Sequence, residues 1–269
     1  MNARRKGVPV LFVIGMISVL AGFISCDEQE VRDLTMSVNH GEKNILVFSK
    51  TTGWRHESIS AGQKALIKLA AENGYGITMT ENAGYFTPEN LEKYKAVIFL
   101  NTTETLFDDS QRTAFLIYIQ SGGGYVGIHS AADTEYDWPW YNKLVGAYFD
   151  NHPNNPNVRQ AELIVTNHNH PATKDLPGRW IREDEWYNFR DFNEEINVIM
   201  ELNTDSYEGS DHPGDHPVAW FHEYDGGRAF YTALGHTFES FEEELFLKHL
   251  WGGIVYAAGE AELKAENDK

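Results

Sequence analysis

The sequence predicts an α/β fold in which helices cover both faces of a doubly wound, mostly parallel β-sheet. Over the first half of the chain, short and nearly continuous apolar runs alternate with helical patterns. Continuous apolar runs are typical of parallel strands that are buried on both faces. The connections are short, and strand–helix–strand units of this kind place consecutive strands parallel with a right-handed crossover.

Each predicted strand corresponds to one apolar run. The second half of the chain is richer in His, Asn, Pro and Trp and has longer connections, yet it contains two further runs. The sequence Asp225-Gly226-Gly227 then predicts the turn of a β-hairpin. The predicted strands are 44–50, 76–81, 96–101, 124–130, 161–166 and 196–202, and the hairpin spans 217–236.

Helix starts are predicted from capping signals. Two segments, Ser-Ala-Gly-Gln and Ser-Phe-Glu-Glu, have the pattern of a capping box, in which two side chains bond to otherwise free backbone N–H groups. A threonine followed by proline predicts another start, and two aspartates precede a helix that runs through Gln120. The predicted caps are Ser60, Thr87, Asp108 or Asp109, and Ser240.

The first 25 residues have the pattern of a secretory signal peptide. Arg4, Arg5 and Lys6 form a positive segment, and residues 8–24 are predominantly apolar. The only cysteine, Cys26, follows a small residue, which is typical of a bacterial lipobox. We therefore expect Cys26 to be lipidated after cleavage. An uncleaved anchor is the alternative, although residues 8–24 are at the short limit for spanning a bilayer.

These signals divide the chain into four parts. A signal peptide is predicted at 1–25, and the polar, acidic residues 26–43 predict a flexible tether. The α/β domain is expected at 44–259 and a polar tail at 260–269. The protein is therefore expected to be exported and anchored by lipid to the bacterial cell envelope.

The charge of the chain restricts its partners. The formal net charge is −18, and cleavage of the signal peptide would remove three positive charges and no acidic residue. Such an acidic protein is not expected to bind nucleic acid, but it is compatible with neutral sugars and with cations. If Cys26 carries lipid, no thiol is left for nucleophilic catalysis. The sequence leaves the oligomeric state open.

The stretch GGGYVGIHSAAD predicts a buried strand that enters a tight turn. A nucleophile elbow needs small residues two positions before and after its tip, because strand and helix nearly touch there. Gly127 and Ala131 meet this requirement for His129, whereas Ile128 makes a poor flank for Ser130. We therefore place His129 at the tip, where an imidazole can act as acid, base or metal ligand.

Seven motifs in a fixed order resemble those of the trehalose-utilisation (ThuA-like) family. The resemblance covers almost all of the mature chain, roughly 44–259. It implies a flavodoxin-like domain with a fold similar to class I glutamine amidotransferases, in which His129 takes the position of the catalytic cysteine. It also implies a role in sugar or disaccharide utilisation. The motifs are TTGWRHES, GGGYVGIHSAADT, GAYFDNHP, NHPATKDLP, DEWYNF, HPVAW and GRAFYTALGHT.

The same motifs contain the candidate catalytic residues. His56, His129 and His236 each follow a predicted strand, and ligands bind outside the carboxyl ends of the strands in open parallel sheets. We therefore expect these three histidines to converge. Longer loops and neighbouring positions add further candidates. The candidate catalytic residues are His129, His236, His56, His152, Glu185 and Asp133.

Aromatic residues and a possible metal extend the predicted site. Trp138, Trp140 and Trp186 lie beside motif loops, so one of them could stack on a sugar, although core packing is the alternative. Arg55 is a further substrate-binding candidate. Imidazole and carboxylate are also ligands of zinc and similar divalent ions, although no HExxH or CxxC motif supports a metal. The candidate metal ligands are His129, His152, His236 and Glu185.

Two functions fit these features. The first is an enzyme that acts on a disaccharide or keto-sugar derivative through histidine and carboxylate acid–base catalysis, with or without a metal. The second is a non-catalytic, lipid-anchored carbohydrate-binding protein. Several ionisable side chains in one site favour the enzyme, because binding a neutral sugar mainly needs amides, hydroxyls and aromatic rings. A cysteine-dependent glutaminase is excluded, because no thiol is available.

Overall fold

The computed structural model describes residues 36–38, 41–210, 212, 214–261 and 263. The predicted signal peptide, Cys26, most of the tether and the last residues of the tail lie outside the described residues. Among the described residues, no helix combines the length and the apolar character that crossing a membrane requires.

The strands are short and mostly buried. In chain order they are β1 (Met36–Val38), β2 (Asn44–Phe48), β3 (Gly76–Thr80), β4 (Ala96–Leu100), β5 (Gly124–Ile128), β6 (Tyr148–Asn151), β7 (Val158–Val165), β8 (Arg179–Glu185), β9 (Asn188–Arg190), β10 (Asn197–Asn203), β11 (Pro217–Tyr224) and β12 (Gly227–Thr232). The helices are α1 (Ile59–Glu72), α2 (Pro88–Leu91), α3 (Asp109–Gln120), α4 (Pro139–Val145) and α5 (Glu244–Ala257).

The large sheet has a parallel part and an antiparallel part. Its order is β1-β3-β2-β4-β5-β12-β11-β10-β7-β8, and the pairings from β3 through β12 are parallel. Taken in chain order, these five parallel strands have the order 2-1-3-4-5 that flavodoxin-like sheets show. From β12 to β8 every pairing is antiparallel. The β11–β12 hairpin confirms the predicted one, and β7 and β10 correspond to predicted strands, whereas β8 and the antiparallel pairing beyond the hairpin were not predicted. Strands β6 and β9 form a separate small sheet.

Helices pack against both faces of the parallel part. A Cβ added to Gly62 of α1 would lie 2.8 Å from Cδ1 of Leu100, so the helix backbone rests directly on β4. Phe115 of α3 stacks on Phe99 with ring centroids 5.3 Å apart. Leu100 and Phe99 are consecutive in β4, and consecutive side chains point to opposite faces of a sheet. α1 and α3 therefore lie on opposite faces.

The core follows from the apolar runs. β2 and β4 are buried almost throughout, which explains why their sequences lack the alternation of a half-exposed strand. Phe48, Phe86 and Phe107 pack against the Phe99–Phe115 pair. Fully burying a side chain of this size contributes about 1.5–3 kcal/mol, so this aromatic cluster is a major part of the stability of the parallel half.

Two of the predicted caps are confirmed. The Thr87 side chain accepts the N–H of Asn90 at the start of α2, with Pro88 in the first turn. Asp108, rather than Asp109, caps α3, and it forms a full capping box with Gln111.

The two predicted serine capping boxes are wrong. α1 begins at Ile59, and the residue before it, Ser58, uses its hydroxyl to bond the Gly235 carbonyl instead of the helix. Residues 239–242 form a 3₁₀ turn and α5 begins only at Glu244. In both places a serine bonds to a distant segment, which local sequence does not reveal.

The predicted tether also needs a correction at its end. Met36–Val38 pairs with β3 in an antiparallel register and forms the edge strand β1. All three of its residues are exposed, so the segment looks like solvated chain in the sequence. The folded domain therefore begins before residue 44.

Candidate active site

The turn after β5 places His129 at its tip. His129 has a left-handed backbone with a φ of 49°, which is uncommon for a residue other than glycine. A Cβ added to Gly127 would lie 3.2 Å from the Cβ of Ala131, so strand and turn approach each other as the elbow pattern predicts. The His129 side chain is fully buried. It therefore faces other protein groups.

Four side chains form a cluster, which we call the histidine–glutamate cluster: His56, His129, Glu185 and His236. Each offers a nitrogen or oxygen atom, and these atoms lie within 4.8 Å of one another. Nε2 of His129 is 3.3 Å from Oε2 of Glu185 and 3.2 Å from Nδ1 of His236. The same Nδ1 is 3.0 Å from Oε2. The ring of His56 stands edge-on to His129 and His236, with centroid distances of 4.8 and 5.1 Å.

The cluster joins the two parts of the sheet. His56 lies in the connection after β2, His129 directly follows β5, and His236 follows β12. All three come from the carboxyl ends of parallel strands, as expected from the sequence. Glu185 is the last residue of β8, the outermost strand of the antiparallel part.

Hydrogen bonds fix the orientation of the histidine rings. Nδ1–H of His129 donates to the Ala233 carbonyl at 2.8 Å, so Nε2 is the nitrogen that faces Glu185. Nδ1 of His56 is 3.3 Å from the hydroxyl of Ser130, the neighbour of the elbow tip. Ser130 is fully buried and supports a histidine. It is not presented to solvent as a nucleophile would be.

Glu185 has partners at both of its oxygens. Its Oε1 accepts a hydrogen bond of 2.7 Å from the amide of Asn157. Nε2 of His152 is 3.5 Å from the same Oε1, while His129 and His236 face Oε2. Burial raises the pKa of Glu185, but the hydrogen bonds from His129 and His236 outweigh it and hold this pKa below its usual range. Glu185 is therefore ionised.

Two of the histidines have pKa values shifted in opposite directions. Burial, together with the neighbouring His129 and His236, lowers the pKa of His56 to about 2, so this ring is neutral. Burial also opposes protonation of His236, but the hydrogen bond and the negative charge of Glu185 outweigh it and raise the pKa of His236. Of these two histidines, His236 is therefore the one on which a positive charge is favoured, because it lies next to the Glu185 carboxylate.

Asp184, which sequence reasoning missed, positions two members of the cluster. It is fully buried, and its Oδ1 accepts the backbone N–H groups of His236 and Glu185, both at 3.0 Å. Its Oδ2 accepts the N–H of Gly235 at 3.0 Å and lies 3.1 Å from the guanidinium of Arg182. One carboxylate thus ties the loop after β12 to the end of β8.

The cluster forms the floor of a cavity of about 620 Å³. This volume lies within the usual range for small-molecule sites, about 300–1,000 Å³. His56, Glu185 and His236 contribute to its lining, whereas His129 lies behind them. The walls include Trp54, Asp133, Phe149, His152, Asn154, Asn157, Tyr187 and Phe238.

Asp133 lies in the cavity wall rather than in the cluster. Its Oδ1 accepts a hydrogen bond of 2.5 Å from the hydroxyl of Tyr136. Burial raises the pKa of Asp133 to about 6, although the hydrogen bond from Tyr136 opposes this shift. Its carboxyl group can therefore gain or lose a proton near neutral pH.

The substrate-binding candidates from the sequence lie away from the cavity lining. Trp186 is fully buried and donates its indole N–H to the Arg159 carbonyl. Trp138 and Trp140 stack on each other with centroids 4.8 Å apart, and the indole N–H of Trp140 donates to Asp225. Arg55 pairs with Glu81 at 2.6 Å. Core packing and surface pairing therefore account for these four side chains.

Two aromatic residues that the sequence analysis passed over do line the cavity. Trp54 is 73% exposed and Phe238 is 43% exposed, so both are available to a ligand. Trp54 directly precedes Arg55 and His56 in the motif TTGWRHES, and Phe238 follows His236 closely. Their positions beside motif histidines were the signal that could have identified them.

Fold and site together define an α/β protein with a buried histidine–glutamate centre at the carboxyl ends of its parallel strands. The model of the ThuA family, described as trehalose utilisation, matches residues 44–257. The chain belongs to the ThuA family, which confirms the resemblance seen in the seven motifs. No curated protein sequence matches the chain.

Solved structures with the same fold include two proteins described as ThuA-like. A protein described as ThuA-like from Bacteroides uniformis is 24% identical, with a TM-score of 0.68 over 80% of this chain and 91% of the other. A second from Parabacteroides merdae is 18% identical, with a TM-score of 0.63 over 84% and 93%. A β-galactosidase from Bacillus circulans is 12% identical, with a TM-score of 0.51 over 82% of this chain and 31% of the enzyme. At these identities the likeness concerns the fold.

Proposed function

We propose that the domain is a carbohydrate-processing enzyme that converts a disaccharide or keto-sugar derivative through histidine and carboxylate acid–base catalysis. The observation that carries this proposal is the buried histidine–glutamate cluster on the floor of a ligand-sized cavity. Perturbed ionisable groups in a cleft are typical of active sites. Membership of a family described as trehalose utilisation supports a role related to carbohydrate utilisation.

Two carboxyl groups in different environments support proton transfer. Glu185 is held ionised by its hydrogen bonds, whereas burial raises the pKa of Asp133 to about 6. Such separated pKa values allow one carboxyl group to carry a proton while the other stays charged. Asp133 could protonate a leaving glycosidic oxygen, or exchange the proton next to the carbonyl of a keto-sugar, at near-neutral pH.

The aromatic walls favour a sugar as the ligand. Trp54 and Phe238 are large apolar residues with substantial exposure, and both face the same cavity. An apolar ring can cover the C–H face of a sugar while the amides of Asn154 and Asn157 meet its hydroxyls. Apolar walls with a few convergent polar groups are typical of small-molecule sites.

A non-catalytic carbohydrate-binding protein is the second candidate. The exposed aromatic residues fit this role as well as they fit an enzyme. The histidine–glutamate cluster does not, because burying several ionisable groups costs free energy that the binding of a neutral sugar does not require. The only cysteine of the chain is Cys26, so a cysteine hydrolase at the elbow position is not proposed.

We also propose that the protein is exported and anchored through a lipid on Cys26. The support is the order of a positive segment, an apolar segment and a small residue before the lone cysteine.

The enzyme proposal is tested with purified protein and a panel of disaccharides and their 3-keto derivatives, with and without divalent ions. We expect turnover of at least one compound, measured by chromatography of the products. Asp133→Asn should lower that turnover at least about 100-fold, because it removes a proton-exchanging group. Asp175→Asn, a change at an exposed aspartate, is the control. Sugar binding without any turnover would support the binding protein instead.

A further inference from the structure

We propose that the histidine–glutamate cluster is a binding site for a divalent transition-metal ion such as Zn²⁺. His129, His236 and Glu185 would be the main ligands, and His56 the fourth. This proposal concerns the same site as the proposed enzyme but does not depend on the reaction. It differs from the ligand set expected from the sequence, because His56 takes the place of His152.

The distances among the three main ligand atoms match those around a tetrahedral metal. Nε2 of His129, Nδ1 of His236 and Oε2 of Glu185 are 3.0, 3.2 and 3.3 Å apart. With metal–ligand bonds of about 2.0–2.1 Å, two ligands of a tetrahedral zinc are about 3.3 Å apart. The three atoms thus already form one face of a tetrahedron of the required size.

Three potential ligand atoms face one point in the cluster. The Ala233 carbonyl can only accept, so Nδ1 of His129 donates to it and Nε2 is the atom that faces Glu185. Oε2 of Glu185 is close to both Nε2 of His129 and Nδ1 of His236. A cation in the centre of this triangle would be bound by all three atoms, in place of the protons that otherwise link them.

Three of the four proposed ligands are held in place by their other polar atom. Nδ1 of His129 is bonded to the Ala233 carbonyl, and Nδ1 of His56 faces the Ser130 hydroxyl. Oε1 of Glu185 is bonded to the amide of Asn157, which leaves Oε2 for the centre. Metal-bound histidines and carboxylates typically have such outer partners, which set their orientation.

The metal centre would be accessible from the cavity. Four protein ligands would fill a tetrahedral shell, so a water or substrate molecule would bind as a fifth ligand, which zinc sites can accommodate. His56, Glu185 and His236 line the cavity, so the centre is reached from the side where a ligand would bind. Three imidazoles and one carboxylate favour zinc, iron, nickel or copper over calcium or magnesium, which take oxygen ligands.

His152 provides the matched comparison. Its Nε2 is 3.5 Å from Oε1 of Glu185, on the opposite oxygen from the triangle, and its Nδ1–H donates to the Pro153 carbonyl. It is a histidine of the same site, partly exposed, but outside the set of four atoms within 4.8 Å. We therefore expect it to be dispensable for binding the ion.

The test is metal binding by the purified full chain after removal of metals with a chelator. Calorimetry with Zn²⁺ and metal analysis after dialysis should give about one ion per chain, and Co²⁺ should give a visible absorption band. His129→Ala and Glu185→Gln should each weaken Zn²⁺ binding by more than about 100-fold, since even outer partners of metal ligands are worth 10–100-fold. His152→Ala should bind as the unaltered chain does.

The wild-type measurement keeps the test valid if a variant does not fold, which circular dichroism would reveal. A folded wild-type chain that binds neither Zn²⁺ nor Co²⁺ overturns the proposal. Loss of binding in His152→Ala with retention in His56→Ala overturns the proposed ligand set. These measurements use no sugar. A chain that binds the ion but turns over no sugar would contradict the proposed enzyme and leave the metal site supported.

Discussion

Replacing Asp184 by asparagine tests how the floor of the cavity is held together. The guanidinium of buried Arg182 faces Asp184 at 3.1 Å and the more exposed Glu243 at 3.0 Å. The substitution removes a buried negative charge and leaves Arg182 with Glu243 alone. Removing one partner of a buried ion pair costs about 3–5 kcal/mol. In a domain of this size, that loss lowers the Tm by about 6–20 °C.

The measurement is urea unfolding followed by circular dichroism, supported by thermal melts. The control is Glu162→Gln, which breaks the pair that Glu162 forms with the exposed Arg179 on the same two strands, β7 and β8. An exposed pair is worth less than about 1 kcal/mol. If Asp184→Asn lost no more stability than Glu162→Gln, the buried network around Arg182 would not have the structural role assigned to it.

Three further predictions concern the cavity, the core and the N-terminus. Trp54→Ala should weaken sugar binding about 5-fold or more by calorimetry, since hot-spot aromatics contribute over 1 kcal/mol, whereas Trp140→Ala should not; equal effects would contradict the proposed aromatic wall. Burial lowers the pKa of His249 to about 4, so the unfolded chain takes up a proton first as pH falls below about 6.5, and the free energy of unfolding should decrease from there to about pH 4. His249→Gln should reduce that slope by about 1.4 kcal/mol per pH unit in urea unfolding at several pH values; an unchanged slope would show that His249 does not titrate this way. Cys26→Ser should move the protein from the membrane fraction to the soluble fraction; continued membrane association with an intact N-terminus would indicate an uncleaved anchor.

The parallel half of the fold could be predicted because its strands are continuous apolar runs. β2, β4 and β5 need no partner-specific information, since any residue facing either helix layer must be apolar. β8 could not be predicted in the same way. Its inward-facing residues include Arg182 and Asp184, which neutralise each other only in the folded protein. A strand whose buried face carries charges looks like a surface loop in the sequence.

The candidate site, like the fold, could be predicted only in part from the sequence. Three histidines could be expected to converge because each follows a parallel strand, and such strands end at one edge of the sheet. The side chains that hold them in place come from distant segments, as with Asp184 and Asn157. Whether a tryptophan lines the cavity depends on which way its side chain points from its loop, and the sequence does not show this direction. Sequence proximity to a motif favoured Trp186, but the structure buries it fully and leaves Trp54 exposed.

The position of the site across the two halves of the sheet has a consequence for how the family could diversify. The histidines depend on the parallel strands, whereas Glu185, Asn157 and Asp184 belong to the antiparallel extension. Changes in the extension can therefore alter the acidic partner and the cavity walls without disturbing the strands that deliver the imidazoles. Descendants of one ancestral fold could in this way acquire different cavity walls while retaining the same three imidazole side chains.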